Sequence, residues 1–150
     1  MAEWLQTTVD KFTFRVPSDR MFTPDGIWLQ AEDGSRLRLG VTDYLQQHSG
    51  DIAFVSTRPP RTLLAREEEF AALETIKVNL SLPSPVAGTV VEVNVALETA
   101  PELVNQDPYG LGWLTVIDAA SWGAERESLL EPAAYLAVMR SQAEAEIGQP

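Results

Sequence analysis

Glu74-Thr75-Ile76-Lys77-Val78-Asn79-Leu80-Ser81-Leu82-Pro83-Ser84-Pro85-Val86-Ala87-Gly88 alternates polar and apolar side chains over residues 74–82. Ile76, Val78, Leu80 and Leu82 fall on one side, and Thr75, Lys77, Asn79 and Ser81 on the other. That is the two-residue period of a half-buried strand. Periodicity alone makes Lys77 one solvated charge on a plain amphipathic strand. No Gly or Pro flanks the lysine, so local turn propensity places no hairpin tip there. Lysine usage adds a weak hint. Arginine supplies nine of the eleven basic residues, leaving only Lys11 and Lys77. A protein modified at one lysine gains selectivity when few others compete, although codon bias produces the same pattern.

Upstream, turn signals separate short strands. Lys11 to Arg15 alternates and ends at Pro17, and Thr23-Pro24-Asp25-Gly26 is a turn cluster. Ile27–Leu29 and Arg36–Leu39 read as a hairpin joined through Glu32-Asp33-Gly34-Ser35. Thr42 suits the N-cap of a short helix through Gln47, closed near Gly50. Ile52–Val55 is an apolar run expected to be a buried strand. Arg58-Pro59-Pro60-Arg61 must be a turn or edge, because proline cannot donate to a sheet ladder. Glu67-Glu68-Glu69 is expected to face solvent before a strand from Phe70 to Ile76.

Downstream, Val86–Val95 is valine-rich, with Gly88 suggesting a tight bend. Pro101 opens a single helical turn through Asn105, and Leu111–Ile117 is the last strand. Ser128 followed by Glu131 fits a helix-capping pattern, and Pro132 is tolerated in a first turn. Leu129, Ala133, Leu136 and Met139 recur at helical spacing, which predicts a helix over about 128–147, ended by Gly148 and Pro150. The residues thus predict a mainly β chain with a C-terminal helix and one or two short internal helices, residues 1–150 forming a single domain.

Composition narrows the function. With no cysteine there is no disulfide, thiolate nucleophile or cysteine metal site, and with His48 alone there is no multi-histidine site. The formal charge of −11 is spread along the chain and repels nucleic acid, whose phosphates are bound by clustered Lys and Arg. It suits docking onto basic protein surfaces, or simply solubility. No apolar run approaches the roughly 20 residues that span a bilayer. Met1–Lys11 lacks the basic-then-apolar order of a secretory signal. The expectation is a cytoplasmic monomer without nucleic-acid or membrane partners. His48 near Asp43 or Asp51 is not read as catalytic, since no nucleophile accompanies it. Trp4, Trp28, Trp113 and Trp122 are read as packing.

Three collinear blocks resemble the glycine cleavage H-protein family. Glu74-Thr75-Ile76-Lys77-Val78 and Ser84-Pro85-Val86-Ala87-Gly88 resemble its Glu-Ser-Val-Lys-Ala and Ser-Pro-Val-Ser-Gly. Gly40-Val41-Thr42-Asp43-Tyr44 through Gly50-Asp51-Ile52 resembles its Gly-Ile-Thr-Asp-Tyr through Gly-Asp-Ile. Glu92-Val93-Asn94, Pro101 to Gly110 and Gly112-Trp113-Leu114 form the third block. The resemblance implies a lipoyl-type barrel-sandwich hybrid, a flattened β-barrel, with a lipoyl hairpin over about 70–94. It implies a non-catalytic carrier with lipoic acid in amide linkage to Lys77, and with Glu74 recognised by the lipoate ligase or lipoyl transferase.

One stretch departs from the pattern. Where the family reads Tyr-Thr-Pro-Glu-His-Glu-Trp, this chain has Phe22-Thr23-Pro24-Asp25-Gly26-Ile27-Trp28. The family's second glutamate lines a cleft and pairs with an amine, which an isoleucine cannot do. An apolar cleft points instead to a sulfur-carrying relative that serves a heterodisulfide-reductase-like complex, and the expectation leans that way. The alternative is the family's own role between glycine decarboxylase, aminomethyltransferase and lipoamide dehydrogenase. The glycine before the lysine strand is also replaced, by Arg66-Glu67-Glu68-Glu69, and the segment through Arg20 matches nothing in the family.

Overall fold

The computed structural model describes residues 3–147. In chain order the elements are β1 (Trp4–Val9), β2 (Phe12–Pro17), β3 (Met21–Phe22), β4 (Ile27–Ala31), β5 (Arg36–Val41), α1 (Asp43–Ser49), β6 (Ile52–Thr57), β7 (Leu63–Leu64), β8 (Glu69–Thr75), β9 (Asn79–Pro83) and β10 (Gly88–Val93). A 3-10 turn (Val95–Glu98), α2 (Leu103–Gln106), β11 (Thr115–Ala119), α3 (Trp122–Glu125), a second 3-10 turn (Arg126–Ser128) and α4 (Pro132–Ile147) complete the series.

A six-stranded sheet in the order β3-β4-β5-β11-β10-β7 packs against a three-stranded sheet, β6-β8-β9. Between them lies the main core, with Ile27, Leu37, Leu39, Phe70, Leu73 and Ile117 all at 0% exposure. Each such side chain contributes about 1.5–3 kcal/mol by leaving water. This is the barrel-sandwich hybrid expected. The hairpin from Ile27 to Leu39 is present, with Leu29 opposite Leu39. Thr42 caps α1 by accepting the Leu45 amide, and Gly50 closes it.

A second core lies on the other face of the large sheet. Phe22 and Trp28 project there, while Ile27 and Leu29 project into the first core. That two-sided burial explains why Ile27-Trp28-Leu29 is continuously apolar. The cover is α4 together with the hairpin of β1 and β2, which supplies Val9, Phe14 and Val16. Phe22 stacks on Tyr135 with centroids 4.8 Å apart, and the Tyr135 and Thr42 hydroxyls share a hydrogen bond of 2.8 Å. Strand β1 escaped the sequence reading, although Leu5, Thr7 and Val9 alternate with polar residues and Asp10-Lys11 makes the turn.

Several expectations need correction. β6 is a strand, but only Ile52 is buried, and Phe54 is 67% exposed because it faces outward from the small sheet. Gly88 makes no bend. It lies in β10, where a Cβ would sit 2.3 Å from the Asp118 carbonyl oxygen, so it permits close approach to β11. The last strand begins at Thr115, since residues 111–113 lie in a turn that Asp107 organises by accepting the Leu111 amide.

The C-terminal helix starts at Pro132 rather than Ser128. The Ser128 hydroxyl is spent on the Glu125 carbonyl at 2.8 Å, and Leu130 exchanges backbone hydrogen bonds with Phe22. The buried stripe is Tyr135, Met139 and Ala143, so Met139 is buried as expected, while Leu129 and Leu136 are half-buried and Ala133 is exposed. Gly148 and Pro150 lie outside the described residues. Among those described, no helix is long and apolar enough to cross a membrane.

Candidate functional site

Strands β8 and β9 pair Ala71–Leu82, Ala72–Ser81, Leu73–Leu80 and Glu74–Asn79, and the chain reverses over Thr75–Val78. The alternating stretch is therefore two strands and a tip, with Lys77 exposed on the tip. The expected apolar side fails at its first two members, Ile76 (97% exposed) and Val78 (44% exposed), because both lie in the loop.

Thr75 replaces the missing glycine or proline. Its hydroxyl oxygen accepts the amides of Lys77 (3.2 Å) and Val78 (3.0 Å), and its own amide donates to the Val78 carbonyl at 2.9 Å. A side-chain hydroxyl that takes up backbone donors is an established turn former. The signal was present in the sequence as a hydroxyl two residues before the lysine, at the place of the family's serine.

The base of the hairpin is braced. Phe70 and Leu73 are wholly buried. Ser84 is buried too: its amide donates to the Glu68 carbonyl (2.7 Å) and its hydroxyl to the Val86 carbonyl (2.6 Å). The Ala87 amide donates to the Glu125 carboxylate at 3.0 Å. Glu74 is exposed one residue before the loop, and neither it nor Lys77 joins an ion pair among the described residues. Replacing the ammonium with an amide therefore breaks no ion pair, and the tip fits an acyl group on Nζ.

Other singled-out residues lie elsewhere. Gly26 takes φ +87° in a turn where its amide donates to the Thr23 carbonyl and its carbonyl accepts the Thr42 amide. Ile27 is 0% exposed in the main core, so it lines no open cleft, which removes the structural ground for an apolar docking wall at this position. His48 faces Glu146 on α4 at 2.8 Å rather than Asp43 or Asp51, and so ties two helices together. Trp28 is core, with its indole N–H donating to the Pro108 carbonyl, whereas Trp4 and Trp113 lie at the rim under Arg15 and Arg38. Glu67 and Glu68 are solvated, and Glu69 is half-buried as β8 begins.

A single lysine raised on a braced hairpin of a barrel-sandwich fold is the layout of a carrier domain. The sequence model of the glycine cleavage H-protein family matches residues 20–142. The glycine cleavage system H protein of Chlorobium limicola is 44% identical over 124 residues, covering 80% of this chain and 94% of that protein. Those of Salinibacter ruber (40% over 122 residues, 81% and 97%) and Thermus thermophilus (38% over 128 residues, 85% and 98%) are similar. The crystal structure of a glycine cleavage system H protein from Mycobacterium marinum superposes with a TM-score of 0.73 at 28% identity, covering 81% of this chain and 97% of that one. The chain belongs to the glycine cleavage H-protein family, whose members are carriers and not enzymes. The hairpin of β1 and β2 lies outside the matched span.

Proposed function

We propose that this protein is a lipoyl carrier of the glycine cleavage type, with lipoic acid in amide linkage to Lys77 and with the aminomethyl group derived from glycine as its cargo. The observation that carries the reading is the position of Lys77, alone on a fixed and exposed tip. Attachment needs only the uncharged amine. Nζ attacks the activated acyl carbon, a C–N bond forms, the activating group leaves with the bonding pair, and the amine proton passes to water. Glu74 is the charged mark that a lipoate ligase or lipoyl transferase reads beside it. When bound, lipoate supplies the redox and group-transfer chemistry. The chain supplies the tether, which raises the local concentration at a docked partner to about millimolar.

Relatives at 38–44% identity bear the glycine cleavage name, which favours glycine decarboxylase, aminomethyltransferase and lipoamide dehydrogenase as partners. The sulfur-carrying reading drew on an apolar cleft at Ile27, and with Ile27 inside the core nothing specific favours it. In this reading residues 1–150 act as one carrier domain, a monomer in the cytoplasm.

The test is the intact mass of the lipoylated protein, with its dithiolane oxidised, after incubation with glycine and an H-protein-dependent decarboxylase: the electron pair freed on carbon by loss of CO2 forms the C–S bond as the S–S bond breaks. A gain matching one aminomethyl group is the expected result. Lipoylation without that gain overturns the cargo. Lipoate on a Lys77→Arg variant overturns the site, and failure of the unaltered protein to take lipoate overturns the carrier reading.

A further inference from the structure

Behind the Lys77 tip, the first row across the small sheet is Phe54 on β6, Glu74 on β8 and Asn79 on β9, each directly opposite the next. Directly paired residues of an antiparallel sheet project from the same face. Here that face is the outer one, since all three are exposed while the following row, Val55, Leu73 and Leu80, turns toward the core. Phe54 therefore stands beside Glu74 with 67% of its surface in water. A ring so exposed contributes little to folding, and aromatic side chains dominate binding hot spots. Ile76, 97% exposed, is a second open apolar side chain, next to the lysine in sequence.

A second observation concerns selection. Lys11, the other lysine, is also exposed in a hairpin turn, between β1 and β2. Turn position and exposure cannot tell the two apart. Behind Lys11 the first pair is Val9 and Phe12, with no carboxylate in the row and no third strand beside it. A ring and a carboxylate side by side, one row behind the tip, are what mark Lys77.

We infer that Phe54 is a specificity-determining contact: the enzyme that attaches lipoate docks on the Phe54–Glu74 row, taking the ring into an apolar pocket and meeting Glu74 with a basic group. This rests on the reading of Lys77 as the attachment site and adds the apolar half of the recognition surface. The occupant is the attaching enzyme because the row lies directly behind the loop that carries the lysine, and because a basic group in the docking enzyme would complement Glu74, which has no ion-pair partner among the described residues.

The experiment is lipoylation of the full-length unmodified protein by a purified ATP-dependent lipoate ligase with free lipoate, followed by intact mass and peptide mapping. Phe54→Ala is expected to raise KM for the carrier about tenfold, the effect of losing one hot-spot ring, with kcat and Tm unchanged. Phe54→Trp keeps the wild-type KM. Leu63→Ala, which trims an equally open side chain on β7 (78% exposed), changes neither constant. A wild-type KM in Phe54→Ala overturns this inference alone. A loss that comes with a lowered Tm marks Phe54 as structural and overturns it as well. Failure of the unaltered protein to accept lipoate at Lys77 overturns the attachment reading beneath it.

Discussion

The Thr75 hydroxyl oxygen accepts the backbone amide of Lys77 at 3.2 Å, so the residue two places before the lysine fixes the lysine's own main chain. Thr75→Val keeps the side-chain shape and removes that acceptor from both Lys77 and Val78. It should cost about 1 kcal/mol and speed amide exchange at those two residues, while Thr75→Ser should not. Unchanged exchange in the valine variant would refute the hydroxyl's part in forming the tip.

Gly88 allows no side chain. Its Cβ would fall 2.3 Å from the Asp118 carbonyl oxygen and 2.8 Å from Ile117 Cγ2, and the nearer atom is backbone. Gly88→Ala should therefore separate β10 from β11 and destabilise the fold by about 1–3 kcal/mol, read as a lower urea midpoint. A wild-type midpoint would show that the two strands have slack.

The hairpin outside the family match is part of the fold. Phe14 is 4% exposed and meets Tyr44 edge to face at 5.2 Å, and Val16 is fully buried against the same cluster. Phe14→Ala should cost about 3–5 kcal/mol, the usual loss for a buried phenylalanine. Calorimetry showing an unchanged Tm would mean that the hairpin merely rests on α4.

Alkali should unfold the protein through its tyrosines. Burial, followed by Glu146, pushes Tyr44 up to about 12, and burial raises Tyr109 and Tyr135 further. Below pH of about 10 both folded and unfolded chains keep these protons, so the tyrosines add no pH dependence to stability. From about 10 upward the unfolded chain releases protons that the folded one retains, and stability falls with pH. Phenolate absorbance should rise together with the loss of circular dichroism. Phenolate formed by all three residues at about pH 10 in a still-folded protein would contradict it.

Local chemistry accounts for what could be read from residues alone. The Ile27–Leu39 hairpin, the Thr42 cap and the helix end at Gly50 depend on side chains close in sequence to what they organise, and the family resemblance pointed to Lys77 and Glu74. Periodicity misread the 74–82 stretch because Ile76 and Val78 in the loop share the even-numbered positions of Leu80 and Leu82 in β9, so loop and strand imitate one strand, although β8 turns the odd-numbered Ala71 and Leu73 inward. The exposure of Phe54, the depth of Ile27 and the start of α4 at Pro132 were illegible for a different reason. Each depends on which distant surface arrives to cover it: the small sheet leaves Phe54 bare, the facing sheet seals Ile27, and Phe22 captures Leu130 before a helix can begin. The sequence by itself determined the lysine, its neighbours and the local turns. Tertiary packing decided which apolar side chains became core and which were left beside that lysine, because burial is settled between segments far apart in the chain.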